Sequence, residues 1–504
     1  MTAPAEAASG GFGPSRAGFE SLVGFLEGEG AAGLEHSELE DRLDVDGREL
    51  LRLLFQDHLD LRADREPRVE AETVVDADGA ARPAVEGGHE RALGTVFGEV
   101  RVRRLAYRAP GAANLHPADA ALNLPAERHS HGLRRLAAVE SSRGSFDEAV
   151  LAIGRATGQG LGKRQVEGLA GRAAGDFDAF YAERQRAPAG AAEVLVLSCD
   201  GKGVVMRPDA LRAATAKARA TSTTKLETRL SKGEKRNRKR MAEVGAVYDA
   251  TPAPRSAADV LPATEQQRAD AAPAPVASNK WLTASVAESA AEVVARVFDE
   301  ADRRDPGRTR AWVALVDGNN HQIARIEAEA RARGAPTAIV VDFVHVLEYL
   351  WKAAWSFHDE GDPAAEAWVR RHASKVLDGG AARVAGQIRR AATNAGLDRD
   401  KRAGADACAK YLANKRAHLD YPTALRNGWP VATGVIEGAC RHLVKDRMDI
   451  TGARWGLDGA EAILKLRALR ANDDFDAYWT YHLARERQRV HLSRYAHNTI
   501  PQVA

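Results

Sequence analysis

Val194-Leu195-Val196-Leu197-Ser198-Cys199-Asp200-Gly201-Lys202-Gly203-Val204 decides how the rest of the chain is read. A run of apolar and small residues ends in an aspartate, the pattern of a strand buried on both faces that carries a carboxylate to a sheet edge. The Asp-Gly pair, with the short run Val204–Met206 beyond it, predicts a hairpin turn between two strands, Val194–Asp200 and Val204–Met206. A second buried run, Trp312-Val313-Ala314-Leu315-Val316, ends in Asp317. Far downstream, Thr433-Gly434-Val435-Ile436-Glu437 opens a stretch of helical character. Three carboxylates on rigid elements can hold two divalent metal ions about 3.5–4 Å apart, the geometry of in-line phosphoryl displacement. That arrangement points to cutting or joining nucleic acid.

Outward from these runs, Val244–Tyr248 predicts a third strand, followed by a Pro/Ala-rich loop over 251–277 and a helix from Val286 to Arg303. Trp312–Asp317 is the fourth strand, His321–Arg333 a helix and Ala338–Asp342 the fifth strand. Three meandering strands, helix, strand, helix, strand is the order of a ribonuclease H-like α/β core with helices on both faces. In that core the first and fourth strands are neighbours, which brings Asp200 and Asp317 together. The core's last helix is expected at Thr433–Met448, after an all-helical insertion over 346–430. The core then occupies 189–345 and 431–480, with a basic tail at 481–504.

The N-terminal part is mixed. Residues 1–62 read as a disordered tail and helices, 63–128 as a small β-rich segment, and 129–188 as helical. Ser145-Phe146-Asp147-Glu148 is a capping box, and Gly158-Gln159-Gly160 separates its helix from a second one that starts at Lys163 and Arg164. This is either a DNA-reading helix-turn-helix or a plain α-hairpin.

Composition narrows the class. A chain of 504 residues is too long for one ordinary core. Lys+Arg is 72 against Asp+Glu 70, which argues against a histone-like binder but leaves room for a basic groove. Cys199, Cys408 and Cys440 stand singly, so neither a disulfide framework nor a cysteine zinc site is expected. The start lacks a basic segment followed by an apolar one, and no run approaches a membrane span. The expectation is a cytoplasmic, nucleoid-associated protein.

Asp342 and His345 follow the fifth strand and can both address the site; the plain alternative is a helix N-cap and a packed histidine. Arg441 and Lys445 lie four and eight residues beyond Glu437, so a regular helix presents all three on one face. Asp446 and Asp449 compete as the third acid. The stretch 207–240 carries twelve Lys/Arg and three acids, among them Lys235, Arg236, Arg238, Lys239 and Arg240. It is either a solvated segment or, with Lys202, a phosphate clamp beside the site. Arg454 is a further phosphate candidate, and Trp455 is either a base-stacking ring or a core residue.

Cys199-Asp200-Gly201-Lys202-Gly203-Val204, Val316-Asp317-Gly318-Asn319, Asp342-Phe343-Val344-His345-Val346-Leu347-Glu348-Tyr349-Leu350-Trp351 and Gly434-Val435-Ile436-Glu437-Gly438 together resemble the DDE transposases of bacterial insertion sequences. The likeness is to the Kra-type group, itself distantly similar to Mutator-like transposases, and it spans residues 90–490. It implies Asp200, Asp317 and Glu437 as the catalytic and metal-binding triad, with Asp342 and His345 as an accessory motif. Two Mg²⁺ or Mn²⁺ ions per site are implied, as are double-stranded DNA partners (terminal inverted repeats and target) and a dimer or larger assembly on DNA. A non-catalytic DNA-binding regulator and a resolvase-type nuclease on the same fold are the rival expectations.

Overall fold

The computed structural model describes residues 11–70, 73–184, 190, 193–221 and 237–501. The chain is mixed α/β and divides into two compact units, Met1–Ala182 with Asp473–Ala504, and Glu183–Asn472.

In the first unit, β1 (Ala84–Thr95) and β2 (Gly98–Arg108) form an antiparallel hairpin. Val96 and Phe97, within the segment expected to be β-rich, form its two-residue turn, because Thr95 already pairs with Gly98. Helix His36–Asp64 packs on β2 around Leu59, Leu93, Val100, Val102 and Leu124. Three further helices, His131–Arg143, Phe146–Thr157 and Lys163–Ala173, share a core of Leu133, Ile153, Val166 and Leu169. The expected capping box is present: Ser145 Oγ accepts from the Glu148 amide, and Glu148 reaches back to the Ser145 amide at 2.7 Å.

The described part of the expected basic tail, 481–501, is not a free tail. Helix Phe475–Val490 belongs to this unit and is locked by buried charge. Arg134, fully buried, donates to Glu127 and to Glu486 at 2.5 Å. Asp176 pairs with His482 at 2.7 Å and with Arg489 at 3.0 Å. Stranding any one of these buried charges costs several kcal/mol, on the order of 3–5, which is why basic residues here belong to structure.

The second unit is built on five strands: β3 (Val194–Val205), β4 (Lys239–Ala250), β5 (Ala277–Ser285), β6 (Trp312–Val316) and β7 (Thr337–Val341). Their order is β5-β4-β3-β6-β7. The pairs β3–β4 and β4–β5 are antiparallel, and β3–β6 and β6–β7 are parallel. Every residue of β6 is buried, as a central parallel strand requires.

Two expectations about this sheet are corrected. Asp200-Gly201 is not a turn: β3 runs straight through it, and Val194 to Val205 pairs without interruption with Ala250 to Lys239. A Cβ at Gly201 would come 2.9 Å from the Met241 methyl, and one at Gly203 would come 2.8 Å from Lys239 Cδ, both on exposed, flexible side chains that can move aside. The third meander strand is β5, which falls between the expected loop over 251–277 and the expected helix from Val286, where no element was assigned. Its exposed Ser278-Asn279-Lys280 hides the period, and only Trp281 to Ser285 is buried. Asn472 pairs with both backbone groups of Leu282, accepting at 2.8 Å and donating at 3.0 Å.

Helix Ala290–Arg304, started by a Ser289–Glu292 capping box, packs on β3 and β4. Between β7 and residue 430 the chain is helical, through Phe343–Ala354, Pro363–Leu377, Ala381–Asn394, Ala403–Asn414 and Tyr421–Arg426. No helix among the described residues is long and apolar enough to cross a membrane.

Candidate functional site

The parallel register of β3 on β6 places Ser198 opposite Leu315. Two residues further along each strand, the same offset sets Asp200 abreast of Asp317. Both acids line one cavity of about 290 Å³ together with Glu243, Asn319, Gln322 and Arg325. Gln322 donates to the Cys199 carbonyl, holding helix Asn320–Arg333 against the end of β3.

Asp317 is set by its turn. Its Oδ1 accepts from the Asn319 amide at 2.7 Å, and its carbonyl accepts from Tyr411 Oη at 3.1 Å. Gly318 between them has φ +91°, and a Cβ there would lie 2.6 Å from that phenol oxygen. Only glycine meets both demands.

β7 supplies the other half. Asp342, fully buried, caps helix Phe343–Ala354 by accepting from the Val344 amide at 2.8 Å. Its Oδ2 accepts from Thr433 Oγ1 and lies 3.2 Å from His345 Nδ1. Burial works against the Asp342 charge, but the bonds from His345, Thr433 and the Val344 amide outweigh it and hold the carboxyl below its ordinary range. The hydrogen bond to Asp342 raises His345 above its ordinary value, with burial opposing and the charges of Asp342, Glu348 and Asp317 adding to it.

Glu437 sits on helix Gly434–Ala439, whose amide at 437 donates to the Thr433 carbonyl. Asp342, His345 and Glu437 offer ligand atoms all within 4.8 Å of one another, a group that could hold a metal ion. Asp342 is buried, His345 half-buried and Glu437 exposed. Because three donors already occupy Asp342, it is the anchor of this group; His345 Nε2 and the Glu437 carboxylate are its open donors. The expected set Asp200, Asp317 and Glu437 does not appear as such a group among the described residues. Glu437 stands instead with the pair expected to be accessory. The two sets still adjoin: the Asp317 charge acts on His345, and those of Asp200 and Glu437 both act on Cys440.

Cys440 was not singled out in the sequence. Its Sγ donates to Asp200 Oδ2 at 3.2 Å, and burial, then Asp200, push its thiol far above the ordinary range. Its position three residues beyond Glu437 on a helix is the signal that could have found it. Tyr411, Thr433 and Gln322 carried no such signal, since each reaches the site only through long-range packing.

The cations are scattered. Beyond Ala439 the chain forms a π-helical turn, Cys440–Lys445, whose carbonyls at 442 and 443 accept from Arg467. Glu437, Arg441 and Lys445, four residues apart, are all exposed. Arg441 lies 3.7 Å from Asp446, which also pairs with His442 at 3.4 Å. Asp446 is therefore engaged on its own helix, and Asp449 is exposed on the turn after it. Lys202 is exposed on β3, and its charge acts on Cys440 beside Asp200.

Lys239 is exposed, with its stem across Gly203, and Arg238 is half-buried. Arg240 is structural: its guanidinium donates to the carbonyls of Val286, Ala210 and Ala287. Lys235 and Arg236 lie outside the described residues. Trp455 is a core ring, with Nε1 donating to the Met448 carbonyl at 3.1 Å and Arg447 over its face at 4.7 Å. Arg454 is exposed. In the first unit Arg164 is exposed, while Lys163 is tied to Asp147 at 2.6 Å. No family model matches the chain, and no curated protein matches it in sequence.

Proposed function

We propose that the chain is a DDE-type DNA transposase that cleaves and rejoins DNA by metal-dependent phosphoryl transfer. The observation that carries this reading is the abreast placement of Asp200, within β3, and Asp317, just past the end of the neighbouring parallel strand β6, both lining one cavity. The strand order β5-β4-β3-β6-β7 is the order of the ribonuclease H-like core, and the helical stretch before Glu437 fits the insertion such transposases carry. The three-helix cluster with exposed Arg164 is the candidate helix-turn-helix.

The donor set fits hard divalent cations. Carboxylates and one imidazole suit Mg²⁺ or Mn²⁺, and neither Asp200, Asp317 nor Glu437 is in an ion pair among the described residues. Asp200, Asp317 and Glu437, with His345 Nε2 beside them, would hold the ions. Such ions, held there, would supply activation of a water or a 3′-hydroxyl and charge stabilisation of the leaving oxygen. The protein's own part is positioning. Asp342 fixes the orientation of His345, Thr433 ties the Glu437 helix to Asp342, and Cys440 holds one Asp200 oxygen. Lys202 offers positive charge to a phosphate backbone beside Asp200, and Lys239 offers it further along, opposite Val205. A dimer bridging two element ends follows from the inverted pairing of such ends, and action on the nucleoid follows from the substrate.

The test is incubation of the full chain with duplex DNA carrying its own gene's flanking sequence, with Mg²⁺, Mn²⁺ or chelator, beside Glu437→Gln. Metal-dependent nicks at discrete flanking positions, lost in the variant and followed by strand joining, are expected. Binding without cleavage in either protein would replace this reading with that of a regulator. Cutting without joining would favour the resolvase.

A further inference from the structure

We propose that Trp351 and Trp355 form a stacking platform for the unpaired bases of a DNA strand leaving the candidate site; the proposal rests on the phosphoryl-transfer reading of that site. Both rings ride on the helix that starts at Asp342, Phe343–Ala354, with Trp355 as its C-cap residue. At about 1.5 Å per residue they stand about 9 and 15 Å along the axis from His345. Their rings stack on each other with centroids 5.3 Å apart and an interplanar angle of 30°. Trp355 is nevertheless 45% exposed, although tryptophan is a highly buried residue type on average.

The platform is rigid. The Ala405 amide donates to Ser356 Oγ at 3.1 Å, and Gly404 backs so closely on the Lys352 carbonyl that no side chain fits between them. A ring held this firmly loses little freedom when a base stacks on it.

The small apolar area rules against a protein occupant and suits a single base. On this helix Val344 is the other large apolar residue with comparable exposure. Glu348 and Lys352 stand exposed between it and Trp355, and Asp359 and Glu360 follow. Two rings and a valine fall far short of the roughly 1,000 Å² that a specific protein interface needs. A base needs one ring face and a nearby cation for its phosphate. Lys352 supplies the cation, its ammonium 4.6 Å from the Tyr349 ring on the same helix. Every base has a π-face, so such a platform is tolerant of sequence and suits a strand whose identity changes with each insertion.

The reach fixes a position. At about 3.4 Å per stacked nucleotide, 9–15 Å corresponds to bases about three to four nucleotides from the scissile phosphate.

The experiment places 2-aminopurine singly along a single-stranded overhang of DNA carrying the gene's flanking sequence, mixed with the full chain and Mn²⁺. Quenching at the third and fourth nucleotides from the nick is expected in wild type. Trp355→Ala should abolish it and weaken overhang binding about tenfold or more, and Trp355→Phe should restore most of both. Equal quenching and affinity in the Trp351→Ala/Trp355→Ala double variant overturns the platform. If that variant still nicks DNA in the same tubes, the phosphoryl-transfer reading survives the loss. Position-specific quenching by a wild type that never nicks keeps the platform as a strand-binding surface and removes the transposase.

Discussion

Asp342→Ala tests how the site is held together, apart from whether it is catalytic. One fully buried carboxylate ends β7, caps the helix that carries His345, and ties down the loop that launches the Glu437 helix. Losing the cap costs about 1 kcal/mol. Losing hydrogen bonds that involve an ionised group costs about 1.5–3 kcal/mol each, and Thr433 Oγ1 and His345 Nδ1 are left without their acceptor. The three terms share one side chain and overlap, so the expected loss is about 4 kcal/mol in the Glu183–Asn472 unit. At about 2–4 °C per kcal/mol for a unit of this size, its unfolding midpoint should fall by about 10 °C.

Urea unfolding followed by tryptophan emission measures that loss, and its pH dependence identifies the cause. His345 has a folded pKa above its unfolded value, so its share of stability is fully present below the ordinary histidine value of about 6.5 and disappears as pH rises through the folded value. Asp342 has a folded pKa below its unfolded value, so its share is present above about 3.9 and disappears as pH falls through the folded value. The gap between wild type and variant should therefore be widest between about pH 4 and 6.5. A gap under about 1 kcal/mol, unchanged from pH 4 to 8, would refute the assignment of Asp342 as the anchor.

Further outcomes follow from single contacts. Gly318→Ala should lower the midpoint of the same unit and weaken Mn²⁺ binding measured by calorimetry, since φ +91° and the Tyr411 hydroxyl both oppose a side chain; an unchanged midpoint would mean the turn is elastic. Burial lowers His131 to about 4, while its Nε2–H donates to the Asn123 carbonyl at 2.9 Å. A base depressed in the folded state supports stability above its unfolded value, so up to about 3 kcal/mol should disappear between pH 6.5 and 4. His131→Gln should flatten that part of the acid limb in a melting series. Asp446→Asn should leave metal-dependent nicking within about twofold of wild type, because Asp446 serves Arg441 and His442. A hundredfold loss would return it as the third ligand.

Much of the sheet was legible because buried parallel strands leave unbroken apolar runs. Trp312–Val316 and Thr337–Val341 lie where those runs put them, as do helices Ala290–Arg304 and Asn320–Arg333. The antiparallel half was harder. Five strands were expected and five exist, but two expected strands fused into β3 and β5 went unread. An Asp-Gly pair signals a turn when chain direction must reverse, and local sequence cannot show that a partner strand continues beyond it. Met241 and Lys239 lie across Gly201 and Gly203 on the partner strand β4, which continues past the pair that suggested a turn.

The same blindness to long-range packing explains the site. Asp317, Asp342, His345 and Glu437 were legible because each follows a strand or lies in the first turn of a helix, and Asp200 because it closes an unbroken apolar run, although β3 continues past it. Their grouping was not, because it depends on Thr433 meeting Asp342 across 91 residues and on Cys440 meeting Asp200 across 240. Arg441 and Lys445, four and eight residues beyond Glu437, are exposed as it is, but the helix that carries them is not regular. Arg467, from helix Leu457–Ala471, draws the carbonyls at 442 and 443 outward and widens the turn there. That widened turn brings a thiol to Asp200. The regularity assumed from sequence is thus lost where the catalytic carboxylates are proposed to meet, which is where a helix that had to serve two masters, sheet and site, would be expected to yield.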